Sequence, residues 1–259
     1  MFKIDFLYSI YAIRNTQDKR QNMDKIEFDN ISILMPIYNR TNWKPLIIQN
    51  LKCQEYPHKH LTFIMDDDGD IPFFENKEDH ENFQDIIYPI KLVYNHRKDR
   101  RSIGAKRNSL CKSVKDKILC FMDSDDIYIP TYVSYSWSNL KGNKVGLVGS
   151  AQMLFYYPID DNYTAIKCSE KHQFHEATMM MTKKYFRSMK GFSNNSQGEG
   201  ADIILGNENN CYETKIEHLM ICICHKDNTV DKNQFRDAHK IDDILPVELK
   251  DLIKKISNI

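Results

Sequence analysis

From residue 31 to residue 128 the chain alternates apolar runs with amphipathic or polar stretches. "ISILMPIY" (31–38) is long and Ile-rich enough for a buried strand, closed by Pro36 and an Asn39-Arg40 turn. "KPLIIQNLKCQ" (44–54) spaces its apolar residues helically, and Pro45 suits a first turn. "LTFIM" (61–65) and "IKLVYN" (90–95) are the next strands, a helix runs from Ser102 to Val114, and "ILCFM" (118–122) is a strand again. Strand, helix, strand, helix, strand predicts an α/β sheet covered on both faces.

The second half is less regular. "VGLVGSAQMLFYY" (145–157) and "TAIKCSE" (164–170) predict strands placed to form a hairpin, and "HLMICICH" (218–225) a last strand. Helices are predicted over 182–189, 201–208 and 246–256, the last with a clear amphipathic period. Met179, Met180 and Met181 are most simply core packing. Residues 1–29 form an N-terminal extension, 30–228 the folded domain and 229–259 a helical tail that docks or meets a partner. No internal repeat is present.

Composition narrows the class. The 259 residues carry 36 basic and 36 acidic side chains, so no net field marks a nucleic-acid binder. Seven Cys lack paired metal spacing, and Cys222-Ile-Cys224 alternates as strand side chains do. An odd count without a secretory signal points to reduced thiols and a cytoplasmic setting. No run reaches the roughly 18 apolar residues of a membrane span, and "FLYSIYAI" near the start is too short.

Two predicted strands end in acids. "LTFIM" runs into Asp66, Asp67, Asp68 and Asp70, and "ILCFM" into Asp123, Asp125 and Asp126. Ligands of open α/β sheets bind outside the carboxyl ends of the strands. If these strands are parallel neighbours, their acids converge and need a counter-charge, for which Mg²⁺ or Mn²⁺ fits carboxylates best. Arg100, Arg101, Lys106 and Arg107, in the cationic segment 95–108, would then take phosphate oxygens. Either cluster alone reads as a solvated loop. Together, with a basic segment between them, they favour a site.

These residues resemble family 2 glycosyltransferases. "ISILMPIYNR" is similar to that family's opening strand, "FIMDDDGD" to its second strand, and "SIGAKRNSLCKSVKDKILCFMDSDD" to its Arg-Asn helix followed by an Asp-x-Asp strand end. The resemblance implies a GT-A fold, a Rossmann-like three-layer α/β/α sandwich with a mixed, mostly parallel sheet. Residues 30–130 would bind a nucleotide sugar and 131–228 the acceptor.

It also implies roles. Tyr38, after Pro36, would lie against the nucleobase, and Asp67, with Asp66 beside it, would accept from a uracil ring nitrogen. Asp123 would approach the ribose. Asp125 would ligate the cation with Asp123 and His225. Arg107, with Arg40, Gly104 and Lys106, would complete the donor site. "EGADIIL" resembles the family's Glu-Asp segment, which makes Asp202 the candidate base, although Ala201 stands where Glu is expected; Glu199 is the reserve. His172 and His175 would face the acceptor or line a loop.

The expected reaction is inverting transfer from a nucleotide sugar, with uridine favoured, to a hydroxyl of a glycan, lipid-linked or protein-linked sugar. The chain lacks the Gln-x-x-Arg-Trp motif of processive synthases, which suits a soluble single-addition enzyme. Two alternatives stay open. A nucleotidyltransferase normally carries a Gly-rich loop after strand one, which "PIYNRTNW" lacks. A non-catalytic sugar-nucleotide-binding module would bind donor without turnover.

Overall fold

The structure, a computed structural model, describes residues 27–168 and 173–257. His172 and all but the last three residues of the N-terminal extension lie outside them.

The first strand, β1 (Ile31–Ile37), is followed by α1 (Lys44–Lys52), β2 (Leu61–Asp67), α2 (Lys77–Ile87), β3 (Lys91–His96), α3 (Ile103–Ser113) and β4 (Ile118–Phe121). Next come β5 (Asp126–Tyr128), α4 (Tyr132–Gly142), β6 (Leu147–Gly149), β7 (Gln152–Tyr157) and β8 (Asn162–Lys167). The chain continues through β9 (Met180–Thr182), α5 (Lys183–Ser188), α6 (Ala201–Ile204), β10 (Cys211–Glu213), β11 (Met220–Ile223), β12 (His239–Lys240) and α7 (Val247–Ile256).

Seven strands form the main sheet in the order β10-β6-β9-β4-β1-β2-β3, with only β9 antiparallel to its neighbours. This is the mixed, mostly parallel sheet that the sequence predicts. Strand β1 is its hub, because Ile31 pairs with both Leu61 of β2 and Ile118 of β4. The alternation of strand side chains divides the core accordingly. Ile31, Ile33, Met35 and Ile37 pack on one face with Leu46, Leu51 and Phe83 of α1 and α2. Leu34 packs on the other with Leu110 and Cys111 of α3.

The two acidic strand ends are therefore not neighbours, contrary to the expectation, since β1 lies between β2 and β4. The chain winds outward from β1 to β3 and returns to place β4 on β1's opposite side. That reversal opens a crevice at the carboxyl ends of β1 and β4.

A second, five-stranded sheet, β12-β8-β7-β11-β5, was not legible in the sequence as a separate layer. Its β7–β8 hairpin is the predicted one. Pairing of Cys222 with Asp126 in this sheet brings the end of β11 to the acidic turn after β4.

Two helices escaped the sequence reading. In α2 only Phe83 and Ile87 are buried, a thin apolar stripe, and the helix is secured by Asn76 accepting the Asp79 N–H (3.0 Å). In α4 the buried face mixes Tyr132, Val133 and Leu140 with Ser136. The helix expected over 201–208 is one turn, Ala201–Ile204, because Gly206 turns the chain at φ 80°. Helix α7 docks, adding Leu249, Ile253 and Ile256 to the core while Lys250 pairs with Asp161 and Asp243.

Candidate active site

A cavity of about 860 Å³ opens at the carboxyl ends of β1 and β4. Its walls come from the turn after β1, the start of α3, the turn from β4 to β5, and segments 175–176, 196–199 and 227–232. Pro36, Tyr38, Arg40, Lys106, Arg107, Asp123 and Asp125 all line it. Asp66, Asp67, Gly104, Asp202 and His225 are not among the lining residues.

The acids after β2 are engaged by protein groups. Asp66 accepts from Arg97 Nε (3.1 Å) and Arg101 Nη2 (2.5 Å). Asp68 accepts from Lys106 Nζ (2.6 Å) and the Arg101 N–H (2.7 Å). Asp67, fully buried, accepts from the Gly69 and Phe73 N–H groups (2.9 and 2.8 Å) and Tyr94 Oη (2.7 Å). Both of its oxygens are thus engaged in shaping the loop after β2. Lys106 also donates to the Ile37 carbonyl (2.8 Å), clamping the end of β1, and burial draws its pKa down against the pull of Asp68. Of the basic residues expected to meet phosphates, Arg101, Lys106 and Arg107 already hold carboxylates.

Tyr38 presents its ring to the cavity, with the Arg100 guanidinium 3.9 Å from its centroid and its hydroxyl donating to Asp70 (3.1 Å). The guanidinium lies over the ring, a cation–π contact at the cavity wall.

The turn after β4 is the chemical centre. Arg107, buried in α3, donates from Nη2 to both oxygens of Asp123 (3.0 and 3.2 Å) and from Nε to Glu199 Oε1 (2.9 Å). Its Nη1 is buried without a partner. Burial raises the Asp123 carboxyl against the opposing charge of Arg107, and Asp125 adds to the rise. One guanidinium thus ties the Asp-x-Asp turn to the loop carrying Glu199.

Asp125 faces a different set. Its Oδ2 accepts from Arg40 Nε (3.2 Å) and Nη2 (3.1 Å), and lies 3.0 Å from His225 Nε2. Burial would raise this carboxyl, yet the His225 hydrogen bond and the Arg40 charge hold it well below the usual carboxylate range. His225 Nδ1 accepts the Asp227 N–H (3.2 Å), Asn228 Nδ2 lies 3.1 Å from Nε2, and Trp43 packs on the ring at 4.7 Å. Asp126 also lines the cavity, its Oδ1 accepting the Ile223 N–H (3.2 Å); burial, then Asp125 and Asp123, push it up to about 8.

The structure does not bring the three expected cation ligands Asp123, Asp125 and His225 together as one set. Asp123 is drawn to Arg107, and among the described residues no three His, Cys, Asp or Glu side chains are grouped to hold a metal. Asp125 and His225 do converge, in a hydrogen bond of 3.0 Å between Oδ2 and Nε2. The pair fits Mn²⁺ or Mg²⁺ when substrate oxygens complete the shell.

The two candidate bases part company. Glu199 is buried and lines the cavity, whereas Asp202 is exposed on the first turn of α6. Gly104 serves this loop: its N–H donates to the Asn195 carbonyl (2.8 Å), and a Cβ there would run into the Ser193 carbonyl. It is a packing residue that seats 193–199 on α3. Glu176, which the sequence reading did not single out, also lines the cavity and accepts the Gly200 N–H (2.8 Å). His175 beside it has a buried Nδ1 without a partner; burial, then the charges of Lys232 and Arg107, push it down to about 3.

The family model described as glycosyl transferase family 2 matches residues 32–196, more than half of the chain. The chain belongs to glycosyl transferase family 2.

Within that family, a Rickettsia felis protein described as an uncharacterized glycosyltransferase is 29% identical over 98 residues, 38% of this chain and 15% of its own length. A Rickettsia prowazekii protein with the same description is 25% identical over 143 residues, 55% of this chain and 41% of its own. This family 2 chain thus spans less than half the length of these curated relatives. Among solved structures, S. aureus TarS matches with a TM-score of 0.58 at 12% identity, over 75% of this chain and 36% of TarS. TarS 1-349 in complex with UDP-GlcNAc gives 0.57 at 11%, over 88% and 65%. The Pyrobaculum calidifontis mannosyltransferase PcManGT, in complex with GDP-Man and Mn²⁺, gives 0.56 at 14%, over 81% and 59%. Likeness at such identity is likeness of fold, the GT-A arrangement.

Proposed function

We propose that this chain transfers a sugar from a nucleoside-diphosphate donor, a UDP-sugar by preference, to an acceptor hydroxyl with inversion. The observation that carries the reading is Arg107, which places the Asp123 end of the Asp-x-Asp turn and the Glu199 carboxylate on one guanidinium inside one cavity. The preference for uridine rests on the resemblance and on TarS, solved with UDP and UDP-GlcNAc. PcManGT, solved with GDP-Man, makes guanosine the control.

Tyr38 would stack on the base, with Arg100 at the phosphates, and Asp123 would take the ribose. Asp125 and His225 would hold Mn²⁺ or Mg²⁺, His225 through Nε2. The ion, when bound, supplies Lewis-acid neutralisation of the leaving diphosphate. The protein's own part is to orient and to move a proton. As the acceptor oxygen bonds to the anomeric carbon and the carbon–phosphate-oxygen bond breaks, Glu199 would take the acceptor's proton. Asp202, the first choice from sequence, gives way to Glu199 because it is exposed and outside the cavity wall.

Product analysis tests this reading. Incubation with UDP-GlcNAc, UDP-glucose and GDP-mannose, with Mn²⁺, is expected to release nucleoside diphosphate, slowly to water and faster with a sugar acceptor. A parallel incubation with UTP or GTP and a sugar 1-phosphate that releases pyrophosphate would assign a nucleotidyltransferase instead, and nucleotide-sugar binding without turnover a non-catalytic module.

A further inference from the structure

Glu176 enters the cavity beside Glu199 yet has no part in the reaction as described so far. The loop between them is built around its carboxyl. Its Oε1 accepts the N–H of Gly200, the residue after Glu199, at 2.8 Å. Position 200 must be Gly for this contact, because a Cβ there would come within 2.7 Å of Glu176 Cγ and 2.8 Å of Oε1. On the far side the Ser193 N–H donates to the Glu199 carbonyl (3.0 Å). Glu199 is therefore held from three directions: by Arg107 at its side chain, by Ser193 at its carbonyl, and by Glu176 through the next peptide.

The charges around Glu176 bear on the form in which it works. Two groups outside its own segment dominate its surroundings, Glu199 on the loop and Arg107 on α3; Cys168 after β8 also feels its charge, and His175 precedes it in sequence. Arg107 already bonds two carboxylates, Asp123 and Glu199. An ionised Glu176 would face the Glu199 charge and draw on the same Arg107 that already serves Asp123 and Glu199, which is costly at low dielectric. A protonated Glu176 avoids that cost, keeps an acceptor for Gly200 N–H, and leaves the guanidinium to Glu199.

We propose that Glu176 is the positioning residue for Glu199 and acts as a neutral carboxylic acid, fixing the base through the Gly200 peptide. The proposal rests on the assignment of Glu199 as base, and burial together with the Glu199 charge raises the Glu176 carboxyl in the direction it needs.

The test compares Glu176→Gln, Glu176→Ala and Glu199→Gln in the full chain, with UDP-GlcNAc and Mn²⁺ as probe. Gln reproduces a protonated Glu, so Glu176→Gln is expected to keep kcat within about threefold of wild type. Glu176→Ala is expected to lose at least tenfold in kcat with donor KM unchanged, and Glu199→Gln at least a hundredfold. Loss in Glu176→Gln as deep as in Glu199→Gln overturns the proposal, because Glu176 then works ionised. A second measurement does not need turnover. Carboxyl ¹³C NMR at pH 7, assigned with Glu176→Gln, is expected to place the Glu176 Cδ at the protonated position. An ionised signal there overturns the proposal even if wild type proves inactive, an outcome that would overturn the transferase reading separately.

Discussion

Arg40 and Asp125 meet through two hydrogen bonds on a single carboxylate oxygen, at 3.2 and 3.1 Å. The same guanidinium reaches the Asp227 carbonyl at 2.9 Å, so it spans from the turn after β1 to the turn after β11. Arg40 thus holds Asp125 and the His225 loop in place, and occupies the carboxylate that a divalent cation would use. Replacing it removes a competitor. Arg40→Gln is expected to tighten Mn²⁺ binding by about tenfold, the ratio set by ~1.4 kcal/mol. Calorimetric titration of Mn²⁺ reads this directly, and unchanged or weaker binding would make Arg40 a mere support.

Arg107 is the buried tie between the Asp-x-Asp turn and the base loop. Removing one partner of a buried ion pair strands the others without counter-charge. Arg107→Met is therefore expected to destabilise the fold by about 3–5 kcal/mol. Urea unfolding measures it; a change below about 1 kcal/mol would show that Asp123 and Glu199 are solvated well enough to stand alone.

Gly104 makes a more selective prediction. Gly104→Ala forces residues 193–199 off α3, since the new Cβ meets the Ser193 carbonyl. Glu199 moves with that loop, whereas Asp125 and His225 sit on other elements. Turnover is expected to fall at least tenfold while Mn²⁺ affinity stays within a factor of two. Loss of both together would mean that the substitution disturbs the whole fold.

His175 governs an acid limb of stability. Burial, with Lys232 and Arg107 nearby, pushes its folded pKa down to about 3, against about 6.5 unfolded. Between these values the unfolded chain binds the extra proton, so this group costs stability as pH falls below about 6.5. In Tm measurements from pH 7.5 to pH 4.5, His175→Gln is expected to lose less stability than wild type. Parallel curves would show that His175 takes up its proton without unfolding.

The residues themselves explain what the sequence disclosed. Strands β1, β2 and β4 were legible because central parallel strands are continuous apolar runs, and Asp66–Asp68 and Asp123–Asp126 mark where they end. The helix from Ser102 to Val114 was bounded well because its N-cap Ser102 accepts the Ala105 N–H (3.2 Å). What stayed hidden depends on partners far away in the chain. That Asp66 and Asp68 are paired by Arg97, Arg101 and Lys106 follows from β1 lying between β2 and β4. Glu199 and Asp202 are three residues apart, and only the start of α6 decides which one faces the cavity. Glu176 carries no local signal at all; its partner, Gly200, is 24 residues on.

The central claim is that this cavity holds a nucleoside diphosphate through a cation at Asp125. Thermal-shift titration of UDP and GDP, with and without Mn²⁺, on wild type and Asp125→Ala tests it most directly. A ligand of the folded state raises Tm by mass action. The account predicts a rise with UDP that needs Mn²⁺ and vanishes in Asp125→Ala. Millimolar nucleotide giving no rise, or an equal rise in both proteins, would contradict it.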